Sequence, residues 1–292
     1  MSISIADKVR QAFPFEVQKL PLRGPDNMQT PFFGLFCDDN GEIAGNIAVS
    51  RHYQPHTTED VISLAEAAAT VFDGEVADVD CQFNNGHHII ISPGPGHRRS
   101  IYGTRDNVFP RMVIRAAYNG KAFQGSIGRY RDACSNLHMP RMVAGIRRSI
   151  MHRGNLRSDM NAIIDDFKIV AARWDNLVDA AKQMEEREVR FAEFLDKLYP
   201  EPDPTNRNAT TRHQRKIEKI FHRLMNERIQ TGRPSIGREY VVTGWEAYNA
   251  VQGYVQHDRT RRGNPSPVQR SLLALNDATV ARAERLVFDM AI

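Results

Sequence analysis

The chain has 292 residues, of which 41% are hydrophobic and 25% charged, a composition that is typical of folded globular proteins and excludes a largely disordered one. Its 39 basic and 35 acidic side chains leave a net charge of +4. There is no apolar run of about 18 residues, and the first residues are too polar for a signal peptide, so the sequence predicts neither a membrane span nor export. We therefore expect a cytoplasmic protein.

Three cysteines, Cys37, Cys81 and Cys134, are widely spaced and form no CxxC motif. In a chain without an export signal, an odd number of such cysteines favours reduced thiols over disulfides. The two histidine pairs also lack Cys or carboxylate partners at a ligand spacing. We therefore predict no metal site and no cofactor.

The N-terminal part of the chain is predicted to be rich in strands. We expect a short helix over 4–13, a loop over 20–30 that contains Pro and Gly, and a hairpin of 32–37 with 42–49 around a DDNG turn. These elements form the start of a β-rich region.

A second helix is predicted between Pro55 and Gly74, because apolar residues recur there at spacings of three and four. Strands over 75–83 and 87–92 form the next hairpin, with an Ile-rich return strand that we expect to be buried. The PGPG loop that follows lacks the spacing of a P-loop, which argues against a nucleotidase.

The clearest local signal lies over 108–131, where two strand-like runs flank Asn119-Gly120, a dipeptide that favours a type I′ turn. Such a turn pairs Tyr118 with Lys121 and sets the register of the hairpin. Because side chains alternate, one face is predicted to be apolar and the other to be solvated. The predicted apolar face contains Met112, Ile114, Ala116, Phe123, Gly125 and Ile127. The predicted solvated face contains Phe109, Arg111, Val113, Arg115, Gln124, Ser126, Gly128 and Tyr130.

Positive charge is concentrated between His97 and Arg157, which we call the basic stretch. Its 61 residues hold thirteen Lys and Arg side chains against only Asp106 and Asp132, a net of +11, so the rest of the chain carries −7. Such clustering indicates an anionic polymer as partner, and aromatic residues among the arginines favour unpaired bases.

The candidate nucleic-acid-binding residues are the cations and aromatic residues of this stretch that the pattern places at the surface. The cations expected to neutralise phosphates are Arg98, Arg99, Arg105, Arg111, Arg115, Lys121, Arg129 and Arg131. The aromatic residues expected to stack on bases are Tyr102, Phe109 and Tyr130. No catalytic residue is predicted.

After Pro140 the hydrophobic period changes from 2 to 3.6, which predicts helices to the end of the chain. We expect one amphipathic helix of about 40 residues over 156–199, a Pro-rich linker over 200–204, and helices over 208–230, 244–257 and 267–290. The predicted fold is therefore α+β: an antiparallel β-hairpin sheet with one packed helix over 1–136, followed by a helical region over 137–292.

The expected long helix carries a stripe of large apolar residues that a modest sheet does not easily cover. These residues are Phe167, Trp174, Leu177, Met184, Phe191 and Leu198. Burial of the stripe by a second copy predicts a homo-oligomer, a ring or short filament, whereas helices after Pro204 that fold back would bury it within one chain.

Several segments resemble an uncharacterised family of phage and plasmid proteins, described only as a domain of unknown function. The resemblance is carried by SRHYQPHTTED at 50–60, by the central hairpin and its flank at 113–136, and by TGWEAYNAVQGYVQH at 243–257. It implies a phage or plasmid origin, and hence an infected bacterial host, but no catalytic residues. We expect Trp245, Tyr248, Asn249, Tyr254 and His257 to pack in the core with their polar groups satisfied, because aromatic side chains on a helix are usually buried.

The arrangement of a basic hairpin sheet beside helices is also similar to that of single-strand annealing proteins of the Redβ, RecT and Erf type. That likeness implies a non-catalytic protein that binds and anneals single strands in recombination or replication. Two alternatives stay open on the residues alone. The basic face can bind an acidic protein, as a host-defence inhibitor does, or carboxylates such as Asp38, Asp165 and Asp166 can form a metal-dependent nuclease site.

Overall fold

The structure is a computed structural model. It describes residues 4–45, 48–71, 74–82, 86–93, 97–116, 118, 123–131, 137–138, 147–150, 156–237, 239–261, 270, 273–274 and 277–290. The predicted α+β class is confirmed, with antiparallel strands first and a helical C-terminal half. None of the helices in these ranges has the length and apolar character that a membrane crossing requires.

The elements follow one another along the chain with most strands before residue 150. The helices are α1 (Ile5–Ala12), α2 (Thr58–Val71), α3 (Leu156–Ala172), α4 (Trp174–Glu185), α5 (Phe191–Leu198), α6 (Arg207–Thr231), α7 (Gly244–Gly253), which continues as a π-helical turn (Tyr254–Asp258), and α8 (Ala278–Asp289). The strands are β1 (Val17–Arg23), β2 (Gln29–Cys37), β3 (Gly74–Gln82), β4 (Gly86–Pro93), β5 (Arg99–Tyr102), β6 (Asp106–Ala116), β7 (Phe123–Arg131), β8 (Leu137–His138), β9 (Arg147–Ile150), β10 (Glu188–Arg190) and β11 (Val241–Thr243).

The chain divides into two compact units that alternate along the sequence. Unit 1 comprises 1–97, 111–127 and 146–172, and unit 2 comprises 98–110, 128–145 and 173–292. Residue 136, the expected end of the β-rich region, therefore lies inside a segment of unit 2, as does the Pro-rich segment 200–204. Strands β6 and β7 contribute residues to both units.

In unit 1, β4 pairs antiparallel with β3 on one side and with the second half of β6 on the other, from His87 opposite Ala116 to Ile91 opposite Met112. The start of β7 pairs with β9. Strands β6 and β7 are neighbours in the sheet, as the central hairpin predicts. The turn at Asn119-Gly120 lies outside the described residues.

Unit 1 contains one correction to the predicted strands. Strand β2 pairs with β1, which occupies part of the expected loop, and not with a second strand over 42–49. That segment meets β2 only through two isolated bridges, of Ile43 with Phe36 and of Val49 with Phe33. The turn chemistry was nevertheless correct: Gly41 has a φ of 70°, and Asn40 Oδ1 accepts a hydrogen bond from the backbone of Glu42 at 2.8 Å. β1 takes the longer pairing with β2, through six registered residues.

Strand β7 and helix α3 pack closely in unit 1 at Gly125. A Cβ atom on Gly125 would lie 2.3 Å from Cγ2 of Ile163 and 3.3 Å from Cζ of Phe167. Ile163 and Phe167 are 0% and 1% exposed. Only glycine allows α3 to approach the strand this closely.

The predicted 40-residue helix is wrong as a single element. It is interrupted at Arg173, whose φ of −107° and ψ of 12° are not helical, and again by β10, which pairs with β11. The first break coincides with the unit boundary, so the two parts of the apolar stripe belong to different units. All six large side chains of the stripe are nevertheless buried within one chain, at 0–4% exposure. The stripe therefore gives no support to an oligomer.

The helices of unit 2 pack around α7, whose ten residues are all buried. Trp245 and Asn249 are 0% exposed and Tyr248 is 1% exposed, as expected for core residues, whereas Tyr254 and His257 are half-buried. Helix α7 begins with a capping box: Thr243 Oγ1 accepts from the backbone of Glu246 at 3.2 Å, and Glu246 Oε2 accepts from the backbone of Thr243 at 3.0 Å. This Thr-x-x-Glu pattern satisfies two amides of the first turn.

Candidate nucleic-acid interface

The first arginines of the basic stretch lie on the hairpin of β5 and β6 in unit 2. Arg99 is opposite Val108 and Tyr102 is opposite Asp106. The turn between the strands contains Gly103, which has a φ of 53°. This geometry places Arg98 and Arg99 at the open end of the hairpin and Arg105 in its turn.

Three of the predicted cations are accessible on this hairpin. Arg98 and Arg105 are exposed, and the Arg99 side chain is 38% exposed. The guanidinium carbon of Arg98 lies 5.6 Å from the centre of the Phe109 ring, and Arg99 is 3.5 Å from Asp175. We call Arg98, Arg99 and Arg105 the hairpin surface.

The aromatic residues of the stretch differ from the prediction. Phe109 is only 9% exposed, so its expected role in stacking on a base is corrected: its ring packs inward and one contact is the guanidinium of Arg98. Tyr102 is half-buried, and the guanidinium carbon of Arg233 lies 3.9 Å from its ring centre. Arg233 therefore covers part of the Tyr102 ring, and the residue as a whole is half-buried.

The predicted solvated face of β6 is also corrected. Val113 is 2% exposed, and Arg111 and Arg115 are half-buried with buried Nε atoms. The burial pattern of β6 shows that the residues on both of its faces are buried or half-buried. Arg111 and Arg115 therefore do not lie on a freely solvated face.

Three other candidates are not located at the level of their side chains. Lys121 lies outside the described residues. Arg129 and Tyr130 belong to β7, where they pair with β8, but their side chains also lie outside the described part of the structure.

Arg131 requires the largest correction. It is 1% exposed and so cannot reach a phosphate. Its Nε and NH2 groups donate to the two oxygens of Asp106 at 2.5 and 2.8 Å, and NH1 donates to Glu227 Oε2 at 2.6 Å. A buried guanidinium needs such partners because desolvation of an unpaired charge is costly.

Arg131 belongs to a larger group of buried charges in unit 2, which we call the buried ion cluster. Its members are Asp106, Arg131, Glu185, Glu227, Arg228, Arg233 and Glu246. Asp106, at 0% exposure, is the shared acceptor: besides Arg131, it accepts from Trp245 Nε1 at 3.2 Å and from Arg233 at 3.4 Å. The Arg131 guanidinium carbon lies 5.5 Å from the Trp245 ring centre.

Arg233 connects the β5–β6 hairpin to the helices of unit 2. It donates to both oxygens of Glu185 at 2.7 Å, and its pKa is raised by Glu185, Glu246 and Asp106 against the opposing effect of burial, which is the largest single influence. Glu246 in turn accepts from Arg228 at 2.5 Å. The network thus links the hairpin, α4, α6 and the start of α7.

Glu227, like Arg233, has incomplete hydrogen bonding among the described residues. It is 5% exposed, and its Oε1 is buried without a hydrogen-bond partner among the described residues. Burial raises the pKa of Glu227, against the opposing effect of the Arg131 charge and hydrogen bond. The cluster contains four carboxylates and three guanidinium groups, so a proton on Glu227 makes it neutral.

The cluster is suited to holding elements together rather than to chemistry on a ligand. The oxygens of Asp106 and the nitrogens of Arg131 are engaged by one another and by neighbouring residues. Sequence reasoning missed it because Asp106 and Arg131 are 25 residues apart and Glu227 is a further 96 along the chain. One signal in the sequence could have indicated the cluster: Asp106 is one of only two acids in a strongly basic stretch.

Two of the carboxylates considered for a nuclease make local contacts, and the third is buried. Asp38 accepts a hydrogen bond from the backbone of Glu16 at 2.8 Å, and Asp165 is exposed and lies 3.3 Å from Lys168. Asp166 is 7% exposed. Within the described ranges no three His, Cys or carboxylate side chains converge as a metal site requires.

The comparisons with known proteins identify a family. No curated protein and no solved structure matches the chain. A family model described as "Domain of unknown function (DUF932)" matches residues 47–285, which include the hairpin surface, the buried ion cluster and α7. Since this match covers most of the 292 residues, the chain belongs to the DUF932 family.

Proposed function

We propose that the protein binds single-stranded nucleic acid through the hairpin surface of Arg98, Arg99 and Arg105, without a catalytic step. In this role it acts in the annealing, recombination or replication of a phage or plasmid genome. The proposed interface includes three cations of the basic stretch that are accessible on the described hairpin. It excludes Arg131 and Phe109, because both are buried.

The observation that carries the proposal is the burial of Asp106 against Arg131. Asp106 is one of only two acids in a stretch with a net charge of +11, and it is 0% exposed. Its carboxylate therefore does not offset the exposed arginines of its own hairpin. Accessible guanidinium groups attract the phosphates of a nucleic acid.

The partly exposed ring of Tyr102 favours a single strand over a duplex. It lies on β5, within three residues of Arg99 and Arg105, and Arg233 holds the ring in place. An unpaired base can stack on a tyrosine, whereas the bases of a duplex are already stacked on one another.

Three cations give weak binding by themselves. About 0.7 of a counterion is released per phosphate contact on single strands, so three contacts give a slope of log K against log salt of about −2. Several copies on one strand would raise the effective concentration of each contact. We therefore retain a homo-oligomer, a ring or short filament, as part of the proposal, on the likeness to annealing proteins alone.

The test is a mobility-shift series with single-stranded and duplex DNA of one sequence at several salt concentrations. We compare the parent with Arg98→Gln combined with Arg105→Gln. The control combines Lys168→Gln with Arg190→Gln, which removes two exposed cations that each contact a neighbouring acid on a helix or at its start. In the hairpin variant the slope of log K against log salt should be shallower by about 1.4, since two phosphate contacts are removed. In the control variant the slope should not change.

The outcome that contradicts the proposal is equally specific. Absence of binding at low salt, or equal loss of affinity in the hairpin and control variants, would show that the hairpin surface is not the interface. Retained binding to an acidic protein but not to DNA would favour the alternative of an interaction protein.

A further inference from the structure

The first half of helix α6 contributes little to the core of unit 2. The buried residues of α6 begin at Ile220, and each residue over 207–219 is exposed or half-buried. On one side, this half contacts Tyr199: His213 Nε2 lies 2.9 Å from its carbonyl oxygen, and Lys216 Nζ lies 4.3 Å from its ring centre. The residues on the opposite side are exposed to solvent.

Three cations form a row on this exposed side. Arg212, Arg215 and Lys219 are separated by three and four residues, which places them on one side of a helix, and all three are exposed. We call them the α6 basic face. A rise of 1.5 Å per residue gives the row a length of about 10 Å.

The α6 basic face is not paired with the acids near it in the chain. None of its three cations makes an ion pair among the described residues. Glu218, the exposed acid of α6, lies 3.9 Å from His222. Asp203, which precedes the helix, accepts two hydrogen bonds from Thr205 at 2.7 and 2.9 Å. The positive charge of the face is therefore accessible to a partner.

Helix stability does not explain these cations. Basic side chains are favourable in the last turn of a helix and unfavourable near its start, because of the helix dipole. The first turn of α6 nevertheless begins with Arg207 and contains no acid. Like charges four residues apart, as in Arg215 and Lys219, also destabilise a helix. The row therefore opposes folding of the free helix, and an anionic partner would offset that effect.

The side chains around the row favour a duplex nucleic acid as this partner. Amides and hydroxyls, which bond to phosphates and base edges, lie among the exposed residues of the helix. They are Asn208, Thr211, Gln214 and Asn226. No aromatic or large apolar side chain is exposed over 207–226. Single strands are typically bound by stacking on aromatic rings, and membrane surfaces by apolar side chains, so the composition fits neither.

The dimensions of α6 agree with a duplex. A helix with its side chains is about 10–12 Å in diameter, and the major groove of B-form DNA is about 12 Å wide and admits one helix. A helix that is buried along its whole length cannot enter a groove, whereas α6 has no buried residue over 207–219, a length of about 20 Å. The major groove of duplex RNA is too narrow.

We propose that the α6 basic face binds duplex DNA, with the first half of α6 in the major groove. Arg212, Arg215 and Lys219 contact phosphates, and the amides beside them contact base edges. This surface is separate from the hairpin surface, and the proposal does not rest on single-strand binding there. A protein that anneals strands has a duplex as its product, so a second surface for duplex DNA suits that role.

Fluorescence anisotropy of a labelled duplex, titrated with full-length protein at several salt concentrations, tests the proposal. The α6 variant replaces all three cations of the face: Arg212→Gln, Arg215→Gln and Lys219→Gln. The control variant replaces three exposed cations that each contact an acid: Arg10→Gln, Lys168→Gln and Arg190→Gln. Both variants remove three positive charges and lower the net charge from +4 to +1, so a general effect of charge is the same in both.

The slope of log K against log salt for the duplex should be shallower by about 2.7 in the α6 variant, since three phosphate contacts are removed at about 0.9 each. In the control variant the slope should not change. Glu218→Gln should tighten duplex binding several-fold, because it removes the exposed acid beside the face. For a single strand of the same sequence, the slope of the α6 variant should equal that of the parent.

Two results overturn the proposal: an equal loss of duplex affinity in the α6 and control variants, or a loss that is as large for the single strand as for the duplex. Binding of polyglutamate but not of duplex DNA at low salt also overturns it, and assigns the face to an acidic protein. If the α6 variant fails to fold, unchanged duplex affinity in Glu218→Gln overturns it by itself. The Arg98→Gln and Arg105→Gln double variant should keep the parent's duplex slope, so failure of the hairpin surface and failure of this face are distinguishable.

Discussion

Arg131 donates two hydrogen bonds to Asp106, and both side chains are withdrawn from solvent, at 1% and 0% exposure. The pair unites the start of β6 with the end of β7 in unit 2. The pair alters the interpretation of the basic stretch in two ways. Arg131, which was expected at the surface, has a structural role, and Asp106, the acid beside the exposed arginines, is buried.

Arg131→Met should destabilise the protein strongly. Removal of one partner of a buried ion pair leaves Asp106 and Glu227 without their main counter-charge, which typically costs about 3–5 kcal/mol. Urea denaturation measures the change in the free energy of unfolding. Arg105→Met, on the exposed turn, should stay within about 0.5 kcal/mol. Similar losses in both variants would show that the cluster contributes little.

Glu227→Gln should alter how stability depends on pH. Burial raises the folded-state pKa of Glu227, so the unfolded chain releases this proton at lower pH than the folded protein does. The associated stability is fully present below the unfolded pKa of about 4.3 and is lost as pH rises through the folded value. Gln cannot titrate, so the variant should gain stability relative to the parent as pH rises.

Denaturation of Glu227→Gln at a series of pH values from 5 to 8 measures this difference. The matched control is Glu218→Gln on the same helix, because the Glu218 side chain is 68% exposed. Parallel pH profiles for the parent and Glu227→Gln would mean that the pKa of Glu227 is not raised.

Gly125→Ala should destabilise the packing of α3 on β7. The added Cβ would lie 2.3 Å from Ile163 Cγ2, inside any normal contact distance, and overpacking of this kind typically costs about 1–3 kcal/mol. Gly237→Ala is the control, because a Cβ at that position meets no described atom within 4 Å. Thermal melting compares the two, and an equal, small effect would show that α3 can move away from the strand.

Thr243→Ala should destabilise the start of α7 by about 1–2 kcal/mol, which is the usual range for loss of an N-cap. Thr243 Oγ1 caps the backbone of Glu246 and also donates to Glu185 Oε2 at 2.9 Å. Thr243→Ser keeps the hydroxyl group and should retain most of the stability. Equal melting temperatures for the Ala and Ser variants would assign the effect to the lost methyl group instead.

Local patterns predicted the elements that depend on nearby residues. The helical period gave α2, α6 and α7, the strand pattern gave the neighbouring β6 and β7, and turn chemistry gave the turn at Gly41. The break at Arg173 was not predictable from the period, because the apolar stripe continues through it. That break depends on the separate packing of α3 and α4 in two units, which only the tertiary structure shows.

The candidate interface was predicted less well, because alternation in a strand assigns faces but not burial. Arg98 and Arg105 are at the surface as expected. Arg131 and Phe109 are not: Glu227 and Trp245, both distant in sequence, contact Arg131, and Phe109 is only 9% exposed. Formal charge counts treated every arginine as available and could not detect one that was already neutralised.

The interleaving of the two units limits how the protein can be divided. A fragment of residues 173–292 would keep Glu185, Glu227 and Arg233 but would lack Asp106 and Arg131, which come earlier in the chain. Glu227 would then lack its ion-pair partner Arg131, and Arg233 would lack one of its acids, Asp106. Gene truncations at the helix break should therefore yield poorly folded C-terminal products, and an insertion or deletion that shifts β6 against β7 would disturb both units at once.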